Sequence, residues 1–145
     1  MRSLLTLVLA TAALPVAAQG PWDIQATLTH RHAAVELAWL PFFVEVVPQN
    51  VFANLKGSVA LVLPHESYRQ RGVRLHVDTE VGKGQGYFTT GVFLAGGEQV
   101  GVGLGLRMGG GWKASRNFRV GGILEAVGGT AGAHGSVGVQ AGWTF

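Results

Sequence analysis

Apolar and polar residues take turns along most of this chain. Val51, Ala53, Leu55, Gly57, Val59, Leu61 and Leu63 share one parity, with Asn54, Lys56 and Ser58 between them. Val73, Leu75, Val77, Thr79 and Val81 alternate with Arg74, His76, Asp78 and Glu80. Val100, Val102, Leu104, Leu106 and Met108 alternate with Gly101, Gly103, Gly105 and Arg107. Near the end, Val137, Val139, Ala141, Trp143 and Phe145 take one parity, while His134, Ser136, Gly138, Gln140, Gly142 and Thr144 take the other. A period of two is that of a strand with one apolar face, not of a helix.

Clusters of Gly, Pro and Asn divide the chain into eight such runs, over about 23–30, 33–47, 51–63, 73–81, 87–95, 99–108, 118–127 and 133–145. In the second run the apolar parity flips: Val35, Leu37 and Trp39 are odd, whereas Phe42, Val44 and Val46 are even. Pro41 sits at the flip and cannot donate to a ladder, so a β-bulge is expected there. Eight short strands with tight connections predict an all-β fold, an eight-stranded antiparallel up-and-down β-barrel. Closure removes the exposed edges that a flat sheet would carry.

The N-terminus changes the picture. Arg2 precedes an apolar run over 4–14 that is too short to span a bilayer as a helix, and Val16-Ala17-Ala18 supplies small residues for cleavage before Gln19. Residues 1–18 therefore read as a secretory signal peptide and 19–145 as a single exported barrel domain. The chain has no cysteine, so disulfides play no part in the expected fold. Its net charge is +3, with basic residues scattered rather than striped, so nucleic acid is not an expected partner. Charged residues make up only 13%, about half the usual share for a soluble domain. A barrel facing water needs charge on its outside, and one facing lipid does not.

The character of the polar face points the same way. It is built of small residues and charges of both signs: Lys56, Arg74, Arg107 and Arg119 against Asp78, Glu80 and Glu125, with His76 among them. Such a set suits the narrow lumen of an eight-stranded barrel as a paired polar network. An even-stranded meander places both termini at one end. Trp22, Phe43, Phe52, Tyr87, Phe88, Trp112, Phe118, Trp143 and Phe145 fall near that end, with Trp39 and Phe93 as exceptions. An aromatic girdle of Trp22, Phe43, Tyr87, Trp112, Phe118, Trp143 and Phe145 is expected at one membrane interface. Phe52 and Phe88 could point inward instead.

The ending Gly142-Trp143-Thr144-Phe145 resembles the C-terminal strand of bacterial outer-membrane β-barrels. In that family a terminal aromatic, with another two residues earlier, is read by the barrel-assembly machinery. The family pattern also places a glycine five residues before the last aromatic, where this chain has Gln140, with Gly138 nearby. The resemblance covers the signal, the strand pattern and the final strand. It implies an outer-membrane location, with outer-membrane lipids and the assembly machinery as partners, and says little about activity. The periplasm is the second location, for a soluble lipocalin-like carrier with its apolar face turned in around a ligand.

Candidate chemistry is sparse. His134-Gly135-Ser136 resembles the His-x-Ser pair of lipid A deacylases, which are also eight-stranded outer-membrane barrels. A hydroxyl nucleophile needs a base beside it and an acid to orient that base. No Asp or Glu follows Ser136, and Glu125 on the preceding strand is the nearest acid. His134, Ser136 and Glu125 are thus weak catalytic candidates, and a hydrogen-bonded lumen filling is the preferred reading. Arg74, His76, Asp78 and Glu80 share one strand face, suiting a proton relay, a metal site with His76, Asp78 and Glu80 as ligands, or, as the preferred reading, a salt-bridged plug that fixes strand register. His30 and His32 lie in a connector expected to be exposed. The connector over 64–72 carries His65, Tyr68, Arg69 and Arg71, which could contact anionic headgroups, cell-wall glycan or a surface-layer component. No cofactor and no metal are expected. The expected role is structural, envelope-stabilising or anchoring, with a filled lumen rather than an open pore. The alternatives are the lipid hydrolase and the soluble carrier.

Overall fold

A computed structural model of the chain describes residues 22–46, 49–63, 71–97 and 100–145, with the backbone alone for 41–46. The expected signal segment 1–18 lies outside these residues, as do His65, Tyr68 and Arg69 and the side chain of Phe43.

The strands are β1 (Trp22–Thr29), β2 (Ala33–Val46), β3 (Val51–Leu63), β4 (Gly72–Lys83), β5 (Gly86–Gly97), β6 (Gly101–Lys113), β7 (Phe118–Gly129) and β8 (Gly132–Thr144). Each pairs antiparallel with its neighbours in sequence. β8 returns to pair with β1, from Asp23↔Thr144 to Thr29↔Gly138, and closes the barrel. Every strand therefore has two partners and no edge is left open.

The eight runs expected from the sequence correspond to these eight strands, with ends that agree to within about two residues except at the end of β6. The glycines at 109–111 have the composition of a breaker. They instead continue β6 to Lys113, paired with β5 as Gly109↔Thr89 and with β7 as Gly110↔Gly122 and Gly111↔Gly121. The bulge lies where the parity flips. Trp39 pairs with Gly57 and Phe42 with Leu55, so β2 spends one residue more than β3 across that interval.

The pleat then sorts the side chains. Leu37, Val59, Leu61, Leu75, Val77, Val92, Leu104, Leu106, Leu124 and Val139 project outward and are exposed. Asp23, Glu36, Lys56, Arg74, Asp78, Glu80, Arg107, Arg119 and Glu125 project inward and are buried. The usual arrangement of a water-soluble domain is inverted: the wall is apolar and the interior is charged.

At the end bearing both termini, backbone hydrogen bonds tie adjacent hairpins into a rim. Gly84 N–H donates to Asn50 O at 2.8 Å, Lys113 N–H to Gln85 O at 2.7 Å, Thr144 N–H to Asn117 O at 2.8 Å, and Phe145 N–H to Trp22 O at 2.9 Å. Gly84 adopts a φ of 61° in its turn, a conformation that glycine takes without the Cβ clash.

Candidate functional site

The inward faces of the strands build a column of ion pairs. Nearest the termini, the Arg119 guanidinium holds Asp23, and its Nε lies 3.6 Å from Glu80 Oε2. Lys56 Nζ sits 2.8 Å from Glu80 Oε2 and 3.5 Å from Asp23 Oδ2. Two carboxylates and two cations thus share one level. Gln25 Nε2 donates to Gln140 Oε1 at 2.8 Å, and Gln140 Nε2 donates to the Tyr87 hydroxyl at 3.4 Å, extending the network across β1, β8 and β5.

At mid-height Arg107 stands between two carboxylates. Its Nη1 and Nη2 reach Glu36 at 2.7 and 2.8 Å, while its Nε donates to Asp78 Oδ1 at 2.7 Å. Ser58 donates its hydroxyl proton to Glu36. One guanidinium spread over two carboxylates is the bidentate geometry that lysine cannot supply.

Toward the far end Glu125 is the hub. Arg74 Nη1 lies 2.9 Å from its Oε2, His32 Nε2 3.2 Å, and the Ser136 hydroxyl 3.2 Å. Phe93 fills the bore beside this level, with Arg74 stacked 4.8 Å from its centroid and His76 at 4.9 Å. Neither ring nitrogen of His76 has a hydrogen-bond partner among the described residues.

Among the described residues each buried carboxylate therefore has a cation against it, which is the condition for keeping charges in a dry interior. The column brings together Lys56, Arg74, Arg107, Arg119, Asp78, Glu80 and Glu125. His76 stands beside them, packed on Phe93. Sequence reading missed Asp23, Glu36, Gln25 and Gln140, although each has the inward parity of its strand. It also placed His32 in an exposed connector. His32 is 0% exposed. Thr29 caps the tight turn by accepting the N–H of Arg31 and of His32, and the turn carries the imidazole back into the bore.

The candidate catalytic residues do not assemble. The Ser136 hydroxyl is committed to Glu125, and His134 Nε2 has no partner among the described residues. A hydroxyl, an imidazole and a carboxylate do fall in line elsewhere, as Thr29, His32 and Glu125. The Thr29 hydroxyl is engaged by its own turn, and both Thr29 and His32 are buried from any substrate. No group of three or more His, Asp or Glu among the described residues is set to hold a metal.

The aromatic girdle needs one correction. Tyr87, expected in the girdle, is buried inside the barrel with its hydroxyl on Gln140; Phe88, one position on, takes the outward place. Trp22 and Trp112 project outward, and Phe118 and Trp143 lie together with ring centroids 5.8 Å apart. Phe145 is half-buried beside Trp22, to which its backbone bonds. Trp39 was an exception only by sequence count. It is the cross-strand partner of Trp22 and shares its level. Phe52 and Phe93 point inward. Of the outer-loop residues, Arg71 is described and is exposed.

No protein-family model, curated protein or solved structure gives a significant match to this chain. The class is set by the geometry itself: a closed eight-stranded antiparallel barrel with an apolar wall and an ion-paired core.

Proposed function

We propose that this chain is an outer-membrane barrel that crosses the bilayer, with a side-chain-filled lumen and a structural, envelope-stabilising or anchoring role. The carrying observation is the inversion of its faces. Water would leave an apolar wall of this size seeking cover, whereas hydrocarbon is its natural neighbour. A strand such as β3, with 13 residues, rises roughly 33 Å at about 3.3 Å per residue and a tilt of about 40°. That height suffices for a hydrocarbon core of about 30 Å.

The filled bore argues for a structural role. Eight strands leave room for little beyond side chains, and here those side chains are locked in pairs. A lipocalin-like carrier would need an apolar interior, and this interior is charged. The expected hydrolase would need the imidazole of His134 on Ser136, and the Ser136 hydroxyl is instead held by Glu125, itself ion-paired to Arg74. Anchoring would fall to the far-end connectors, where Arg71 is exposed, and assembly to β8, whose Trp143 faces Ile24 on β1 and Phe118 on β7.

Fractionation of expressing cells, followed by gel migration with and without boiling, tests the reading. A barrel in the outer-membrane fraction that shifts on boiling is expected. A protein soluble in the periplasm without any shift overturns it.

A further inference from the structure

β1 is joined to the barrel on unequal terms. On one side the tight turn over 30–32 ties it to β2, with which it pairs from Trp22↔Trp39 to Leu28↔Ala33. On the other side the ladder to β8 holds it, across the seven partners from Asp23↔Thr144 to Thr29↔Gly138. β4 and β5, by contrast, share a tight turn and twelve partners, from Gly72↔Gly97 to Lys83↔Gly86. The seam that closes the barrel thus has neither a connecting turn nor a long ladder. Local opening follows the line that gives up the fewest such bonds.

Side chains stitch this seam from the lumen. Arg119 reaches past β8 from β7 to hold Asp23 on β1, and its Nη2 donates to Gln25 Oε1 at 3.3 Å. Gln25 Nε2 donates to Gln140 Oε1 at 2.8 Å, and the Thr144 hydroxyl to Asp23 Oδ1 at 3.4 Å. Toward the far end His32 Nε2 stands 3.2 Å from Glu125 Oε2 on β7. His30 finishes the ladder: its N–H donates to Val137 O at 3.2 Å, and its Nδ1 accepts the Val137 N–H at 3.3 Å. Parting β1 from β8 breaks these stitches together. It leaves Asp23 with Lys56 of β3, whose Nζ is 3.5 Å away, because β1, β2 and β3 stay in one sheet. A carboxylate that keeps a cation makes the opened seam less costly than a bare charge would.

We propose that the β1–β8 seam is a lateral latch: the folded barrel opens there first, and the Arg119–Asp23 pair sets how often. An open latch turns the edges of β1 and β8 sideways, and an unpaired edge is a template for an added strand. The latch needs only the closed barrel and is independent of the membrane-spanning reading.

Hydrogen–deuterium exchange of the purified full barrel in detergent micelles, read peptide by peptide by mass spectrometry, tests it. Peptides from β1 and β8 should exchange well before those from β4 and β5. Asp23→Asn should speed β1 and β8 by roughly a hundredfold, because the closed seam loses its buried pair with Arg119. Asp78→Asn breaks a lumen pair between β4 and β6, which an open seam leaves intact, so β1 and β8 should exchange as in the native chain. Ala26 and Ala141 are seam partners facing away from the lumen. A disulfide between Ala26→Cys and Ala141→Cys, at a spacing such bonds accept, should slow β1 and β8 to the rate of β4 and β5. Native β1 and β8 that exchange as slowly as β4 and β5 overturn the latch, as does fast exchange that persists in the cross-linked chain. Equal acceleration of β1 and β8 by Asp23→Asn and Asp78→Asn overturns it too. The native and cross-linked chains decide the matter even if Asp23→Asn does not fold.

Discussion

Glu36 on β2 and Arg107 on β6 clasp each other across the full width of the barrel. Their strands are four places apart in a ring of eight, so they face one another over the bore. The paired contacts measure 2.7 and 2.8 Å. A bidentate pair in this position ties opposite walls together, which no ladder hydrogen bond can do. Arg107 also serves Asp78 on β4, so one side chain braces three strands.

Arg107→Met should therefore be severe. It would leave Glu36 and Asp78 buried without a cation, and breaking a buried pair from one side costs about 3 to 5 kcal/mol. Urea unfolding of the bilayer-inserted barrel, followed by tryptophan fluorescence, measures the loss. Neutralising the carboxylates as well, with Glu36→Gln and Asp78→Asn, should recover part of it. If the single variant unfolds like the native protein, the lumen is wet and the clasp contributes nothing.

A glycine and a ring make the second prediction. Phe93 on β5 and Gly105 on β6 are cross-strand partners, and a Cβ at 105 would run into the Phe93 ring. The ring lies over the glycine because the space is empty there. Gly105→Ala should cost roughly 1 to 3 kcal/mol by overpacking. The smaller Phe93→Leu in the same background should relieve part of that cost, so that the two changes are not additive. Additive losses in a double-mutant cycle would mean that the ring does not depend on the glycine.

Much of this was legible beforehand, and the rest failed for identifiable reasons. The strands were legible because a barrel with unlike faces enforces a period of two on every residue. The bulge was legible because Pro41 coincides with the parity flip. The end of β6 was not, since glycine punctuates turns and also permits close strand approach. Here Gly111 faces Gly121, and a Cβ on either would meet the opposite backbone. Tyr87 and Phe88 are adjacent aromatics, so only the register says which one enters the lumen. That register was present in the outward parity of Val92 and Leu94. His32 was beyond pattern reading, because a tight turn, not a strand, returns it to Glu125.

Ser136 separates a structural lumen from a catalytic one. Its hydroxyl donates to Glu125 Oε2 at 3.2 Å, and that carboxylate also receives Arg74 and lies 3.2 Å from His32. Ser136→Ala should remove one hydrogen bond to a charged acceptor and destabilise the barrel by about 1 to 3 kcal/mol. Acyl-ester release from lipid A by the purified barrel should stay at background in native and variant chains alike. Release by the native chain that disappears with Ser136→Ala would make the lumen reading wrong at that level.

The decisive surface test lies on β6, where the apolar wall can be probed by depth along one strand. Leu106 is 64% exposed near the middle of the strand, and Val102 is 71% exposed near its far end. Both point away from the lumen, so a lysine at either position disturbs no ion pair. In water the two substitutions should be equivalent and close to neutral, within about 0.5 kcal/mol. In a bilayer they should differ. A lysine at mid-depth costs roughly 2 to 4 kcal/mol, whereas one near an interface costs about 0 to 1 kcal/mol because its chain can reach the headgroups. Leu106→Lys should therefore destabilise the reconstituted barrel by several times as much as Val102→Lys, as read from urea midpoints in the same vesicles. Equal and small effects would place the wall in water and remove the basis for a spanning barrel.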